Sequence, residues 1–216
     1  MVTLVLMAVG VAAIAAAWRL VVTGHVSIWP AMSGTIGALG LAALATGHVS
    51  VSPRLRWPLS ALLGLGAGVA LYAATAAFVL IVRRWPRFDR HVAAIYDQRQ
   101  GLALGPALFL AAGVNASGEE LFWRGLFQWR LARSLGWPAA SGVTWAVYAG
   151  VNLFSQNLPI VAGGIVGGAV WVALAFSTHG ALASLLCHAV WTGLMLAFPP
   201  GGAGVPHASS SRSRTA

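Results

Sequence analysis

Seven apolar runs, at about 2–22, 28–46, 58–82, 102–126, 137–154, 158–177 and 180–198, make up most of this 216-residue chain. Each is close to the ~20 residues that an α-helix needs to cross the hydrocarbon core of a bilayer. Lipid satisfies no backbone N–H or C=O, so only helices and closed barrels span it. Barrel strands read as short segments of alternating polarity, and the chain has no such alternation. The expected fold is therefore all-α, a polytopic membrane helix bundle with about seven transmembrane helices. Composition agrees. The chain is 58% hydrophobic and 8% charged, with a mean hydropathy of +0.79, too little polar material to cover a soluble domain.

The connections carry most of the charge. All thirteen basic residues are arginine, against four acidic residues. A net charge of +9 could suit nucleic acid, but the arginines are dispersed among loops and form no basic-aromatic patch, so no nucleic-acid partner is expected. A positive-inside distribution accounts for them. With seven spans, Arg19, the five arginines of 83–99, Arg212 and Arg214 fall on one side, and Arg54, Arg56, Arg130 and Arg133 on the other. Eight against four predicts a cytoplasmic C-terminus. The first run lacks the positive start of a signal peptide and is long enough to be retained as a span.

Within 83–100, Phe88, Val92, Ile95 and Tyr96 share one helical face while Arg90, Asp97 and Arg99 lie elsewhere. That predicts an interfacial helix at about 86–100. The low-complexity segment 199–216 is expected to be disordered. The organisation predicted is thus N-terminal membrane helices over 1–101, a motif-bearing core over 102–198, and a tail. The single cysteine, Cys187, excludes an intrachain disulfide and reads as a small packing residue.

Two of the four acidic residues, Glu119 and Glu120, stand side by side in the fourth apolar run. An ionised group at the bilayer centre costs at least about 2.5–3.5 kcal/mol on insertion scales, so each carboxylate needs a reason to be there. Glu120 and Arg124 are four apart and can pair on one helix face. Ser117 stands three before Glu120, a capping-box spacing that could start a helix. One arginine cannot neutralise two carboxylates, so Glu119 needs a proton, a metal or another partner. Further along, Tyr148 precedes Asn152 by four, and His188 precedes Thr192 by four with Trp191 between. A lone His or Asn in an apolar helix commonly serves as interhelical glue.

Taken together, "EELFWRG" (119–125), Tyr148-x-x-x-Asn152 and "HAVWT" (188–192) resemble the CPBP family of intramembrane proteases. That family includes the type 2 CAAX prenyl proteases and the lysostaphin-resistance-A-like and Abi proteins. Its Glu-Glu-x-x-x-Arg motif is met in full by Glu119, Glu120 and Arg124. Its Phe-x-x-x-His motif aligns with Tyr148 and Asn152, so the histidine is replaced. Its third motif, His with Asn or Asp four later, keeps His188 and Trp191 but has Thr192. The resemblance covers about 102–198.

The resemblance implies a helix bundle around a conical cavity, in a bacterial plasma membrane, that hydrolyses a lipidated or membrane-embedded peptide. By that resemblance Glu119 activates the attacking water. Glu120 and Arg124 support its helix, with Tyr148 and Trp191 as structural supports. The second-motif position, Asn152 here, would hold the water, and His188 with Thr192 would stabilise the oxyanion. Another scheme within the resemblance places a zinc-like metal on Glu119, Glu120 and His188. Asn cannot act as a base and is a poor zinc ligand, so a silent relative that binds membrane peptides or partner proteins stands as the alternative. A small proton-coupled transporter using Glu119 as a relay is the third expectation, although two matching halves with broken helices are missing.

Overall fold

A computed structural model describes residues 2–52, 54–82, 84–97 and 102–200. Eight helical stretches follow one another. They are α1 (Val2–Val22), α2 (Trp29–Ala45, opening with a π-turn), α3 (Trp57–Val82), α4 (Pro86–Asp97), α5 (104–135), α6 (Trp137–Asn152), α7 (Leu158–Thr178) and α8 (Leu182–Ala197). No strand occurs among the described residues. Seven of the eight fall on the seven apolar runs, and α4 is the additional, amphipathic one. Helices α1, α3 and α7 are each long and apolar enough to cross a membrane, and α2 and α8 are shorter apolar helices.

The outer surface is itself apolar. Leu41, Leu62, Ile81 and Phe109 are each about two-thirds exposed or more. Such a surface would aggregate in water and is stable against acyl chains. The molecule is an integral membrane protein.

Two sequence expectations are corrected. Ser117 starts no helix: it lies inside α5 in right-handed helical conformation and makes no capping hydrogen bond. A capping box needs a chain that enters the helix there, and α5 has already been running since Leu104. Arg130 and Arg133 are not in a loop but on the last turns of α5. Nothing breaks the helix until Gly136, which has φ of 78°, and Pro138 then opens α6. Helix α4 forms as the periodicity predicts, with Phe88, Val92 and Tyr96 buried. Residues 98–100 of the predicted interfacial helix and 201–216 of the predicted tail lie outside the described residues.

Close approaches of small residues set the position of the motif-bearing helices. A Cβ on Gly118 would lie 2.6 Å from the Ile36 carbonyl oxygen, and one on Gly40 would lie 2.7 Å from Gly118 Cα. Helices α2 and α5 therefore cross almost backbone to backbone beside Glu119. On the other side, Gly64 and Gly68 of α3 leave room for the Ala183 and Cys187 carbonyls of α8, which fixes the helix that carries His188. The loop between α2 and α3 ties these helix ends together. Ser50 N–H donates to Gly125 O at 2.9 Å, and the Ala181 and Leu182 N–H groups donate to Ser50 O and Val51 O at 3.0 and 2.9 Å. Irregular backbone at this depth is thus hydrogen-bonded within the protein, as lipid requires.

The predicted division falls at residue 101. Helices from both parts line one cavity of about 510 Å3.

Candidate active site

Helix α5 is α-helical over only part of its length. Wider π-turns, with i to i+5 hydrogen bonding, cover Phe109–Ala116 and Leu121–Gln128 and flank the single α-turn Ser117–Glu120. Such π segments recur at functional sites because they re-aim side chains. Here they frame the paired glutamates.

The two carboxylates have different environments. Glu120 is fully buried and outside the cavity wall. Its Oε1 accepts from Arg124 Nη1 at 2.9 Å, and both side chains are 0% exposed. The same oxygen lies 2.9 Å from His188 Nδ1. An ionised carboxylate only accepts hydrogen bonds, so Nδ1 carries the hydrogen in this contact and the cavity side is left to Nε2. The His188 ring stacks on Trp171 at a centroid distance of 3.6 Å. Arg124 in turn sits over the Tyr148 ring at 4.4 Å and the Trp171 ring at 5.4 Å, a desolvated cation–π arrangement.

Glu119 is only half-buried and lines the cavity. Its Oε2 accepts from the Tyr148 hydroxyl at 2.6 Å, the length of a charge-assisted O–H···O bond. The partner that the sequence left open for Glu119 is thus Tyr148. The motif comparison had treated that position as an aromatic packing residue, for which Phe is usual. A phenylalanine could not make this bond, so the extra hydroxyl was the signal available.

The other expected residues converge on the same cavity. Tyr148, Asn152, His188, Trp191 and Thr192 all line it with Glu119. Their orientations differ in use. Asn152 Nδ2 donates to Tyr148 O at 2.9 Å, one turn back on α6, so its amide nitrogen is engaged by its own helix. Trp191 Nε1 donates to Thr75 Oγ1 at 3.0 Å, tying α8 to α3. Arg124 is not a cavity residue and acts through Glu120. Trp171, which no motif marked, holds both His188 and Arg124. Its position in the middle of an apolar α7 gave no distinguishing pattern. The remaining wall is almost entirely apolar, with Trp18, Met32, Phe78, Phe88 and Ile160 contributed by five different helices.

A zinc-like metal does not fit this donor set. Glu120 Oε1 is shared by Arg124 and His188 Nδ1, and its carboxylate lies off the cavity. What remains is Glu119 and His188 Nε2, whereas catalytic zinc takes three protein ligands. Among the described residues no group of three or more His, Cys, Asp or Glu is arranged to hold a metal ion.

Fold and site together define a polytopic membrane protein with a carboxylate–arginine–histidine cluster that reaches a largely apolar cavity through His188, beside Glu119 in its wall. Comparison with known families places it further. Residues 101–194 match the family model described as type II CAAX prenyl endopeptidase Rce1-like. That match spans the motif-bearing helices and agrees with the motifs that resemble this family. No curated protein and no solved structure gives a match.

Proposed function

We propose that this chain is an intramembrane endopeptidase that cleaves a lipidated or membrane-embedded peptide with a Glu119-activated water. The carrying observation is the division of labour between adjacent carboxylates. Glu120 is sealed into an ion-paired cluster, while Glu119 alone of the two faces the cavity.

Tyr148 engages Oε2 of Glu119 and leaves Oε1 for a water. Glu119 takes one proton from that water as general base. The resulting hydroxide adds to the carbonyl carbon of the peptide, and the oxygen becomes an oxyanion. His188 Nε2 and the Thr192 hydroxyl are the donors for it, and such donors act strongly where water is excluded. The C–N bond then breaks, Glu119 passes its proton to the leaving nitrogen, and one water has been added across the peptide bond. Donation from Nε2 requires the His188 imidazolium, whose charge Glu120 balances. Glu119, Glu120, Arg124 and His188⁺ then sum to zero, which suits a site surrounded by lipid. No metal enters this scheme.

The apolar wall suits a substrate that arrives from the bilayer, and lipids themselves are the other neighbours. The arginine distribution orients the C-terminus to the cytoplasm, and the family resemblance suggests a bacterial plasma membrane. One observation favours a second reading, a silent relative that binds such peptides without cutting them. Asn152 stands where the family pattern has a histidine, and its amide nitrogen turns to the Tyr148 carbonyl, not to Glu119. The deciding experiment offers quenched fluorescent prenylated and transmembrane peptides to the full chain in liposomes. Cleavage by the wild type and none by Glu119→Gln supports the protease. Binding of the peptides without cleavage supports the silent relative.

A further inference from the structure

We propose that Asn115 is a further catalytic residue, whose side-chain amide donates a hydrogen bond to the carbonyl oxygen of the scissile peptide as negative charge develops there. The proposal rests on the reading of Glu119 as the base and adds a donor to it.

Asn115 precedes Glu119 by four on the continuous helix α5, so the two side chains project from the same face one turn apart. It lines the same cavity as Glu119, His188 and Thr192. Its Oδ1 is buried with no hydrogen-bond partner, so the end of the amide left for the cavity is the nitrogen, which carries two donors. Buried amides are ordinarily satisfied by the protein around them. The other residues that α5 gives to the wall besides Glu119 are Ala111 and Ala116, whose side chains offer nothing to bond. A polar group that lines the cavity together with a base is suited to a polar atom of the substrate.

The third motif shows what this donor would replace. Position 192 of α8 holds Thr where the family pattern has Asn or Asp, and a hydroxyl on Cβ reaches less far than a carboxamide. Helix α8 packs against α5 just here: a Cβ on Gly193 would stand 4.0 Å from Ala112 Cβ. Asn115 therefore supplies, from the facing helix, the amide that α8 lacks.

The test uses the full chain in liposomes and a farnesylated, internally quenched peptide as probe, with kcat and KM measured separately. Asn115→Leu keeps the volume and removes the donor. The expected result is a fall in kcat of about 100-fold, the scale of one lost oxyanion donor, with KM changed less than about threefold. The double variant Asn115→Leu/Thr192→Asn is expected to recover at least about tenfold of that loss, a rescue that a packing role at Asn115 would not produce. If Asn115→Leu does not fold, as judged by thermal unfolding in detergent, Asn115→Ala takes its place. An unchanged kcat in the Asn115 variant, with Glu119→Gln inactive, overturns this proposal and leaves the Glu119 reading standing. A wild-type rate no higher than that of Glu119→Gln overturns both.

Discussion

At the scale of single residues, Glu119 and Glu120 share a chemistry and a neighbourhood and differ in what touches them. Glu120 is held by Arg124 and His188, and removing one partner of a buried ion pair leaves a charge uncompensated. Arg124→Met is therefore expected to destabilise the protein by about 3–5 kcal/mol, read as a large drop in the thermal unfolding midpoint in detergent. A midpoint within a degree of wild type would contradict the buried pair. Tyr148 acts differently, because its hydroxyl orients Glu119 while its ring packs against Trp123 and Trp171. Tyr148→Phe keeps the ring and removes the donor. It should lower kcat by about tenfold, within the range that positioning and proton transfer contribute, and leave the unfolding midpoint nearly unchanged. An equal loss of stability would make Tyr148 a packing residue only. The sequence showed that Glu119 needed a partner, and it did not show which, since pairing of α5 with α6 is a tertiary fact. Asn115 was within reach of sequence reasoning, as it stands at helical spacing before Glu119, but lacked any motif to mark it.

Among the elements, the crossing of α2 and α5 is the tightest constraint on the base. With Gly118 against the Ile36 carbonyl and Gly40 against Gly118 Cα, any side chain at either position pushes the helices apart at the residue before Glu119. Gly118→Ala and Gly40→Ala should each cost about 1–3 kcal/mol, the usual range for overpacking, and reduce cleavage more than they reduce folded protein. Rates that simply follow the folded fraction would mean that the crossing does not position Glu119. Helix existence was readable from run length and hydropathy. The π-turns of α5 were not, because no residue pattern over Phe109–Ala116 or Leu121–Gln128 distinguishes them from an ordinary α-helix. The extension of α5 to Leu135 was readable in principle, since Gly136 and Pro138 are the first breakers after the motif.

For the whole molecule, the hydropathy pattern yielded the all-α membrane bundle and the motif spacing yielded the family resemblance, because both are linear properties of the chain. The cavity is different. It is assembled from both parts of the chain, with α1 to α4 supplying much of the apolar wall and α5 to α8 most of the polar groups, and no periodicity announces such a meeting. The donor set makes one prediction at this scale. Activity should survive 1,10-phenanthroline, and purified protein should hold well under one equivalent of zinc by elemental analysis, since among the described residues only two suitable ligands face the cavity. Inhibition reversed by added zinc would require a rearranged site. The central claim, that this chain cleaves peptides through Glu119 despite Asn152, is tested most directly by the cleavage rates of wild type, Glu119→Gln and Asn152→His in the same liposomes. The account predicts measurable cleavage by the wild type and none by Glu119→Gln. Cleavage appearing only in Asn152→His would contradict it and leave a silent relative whose chemistry was lost at that position.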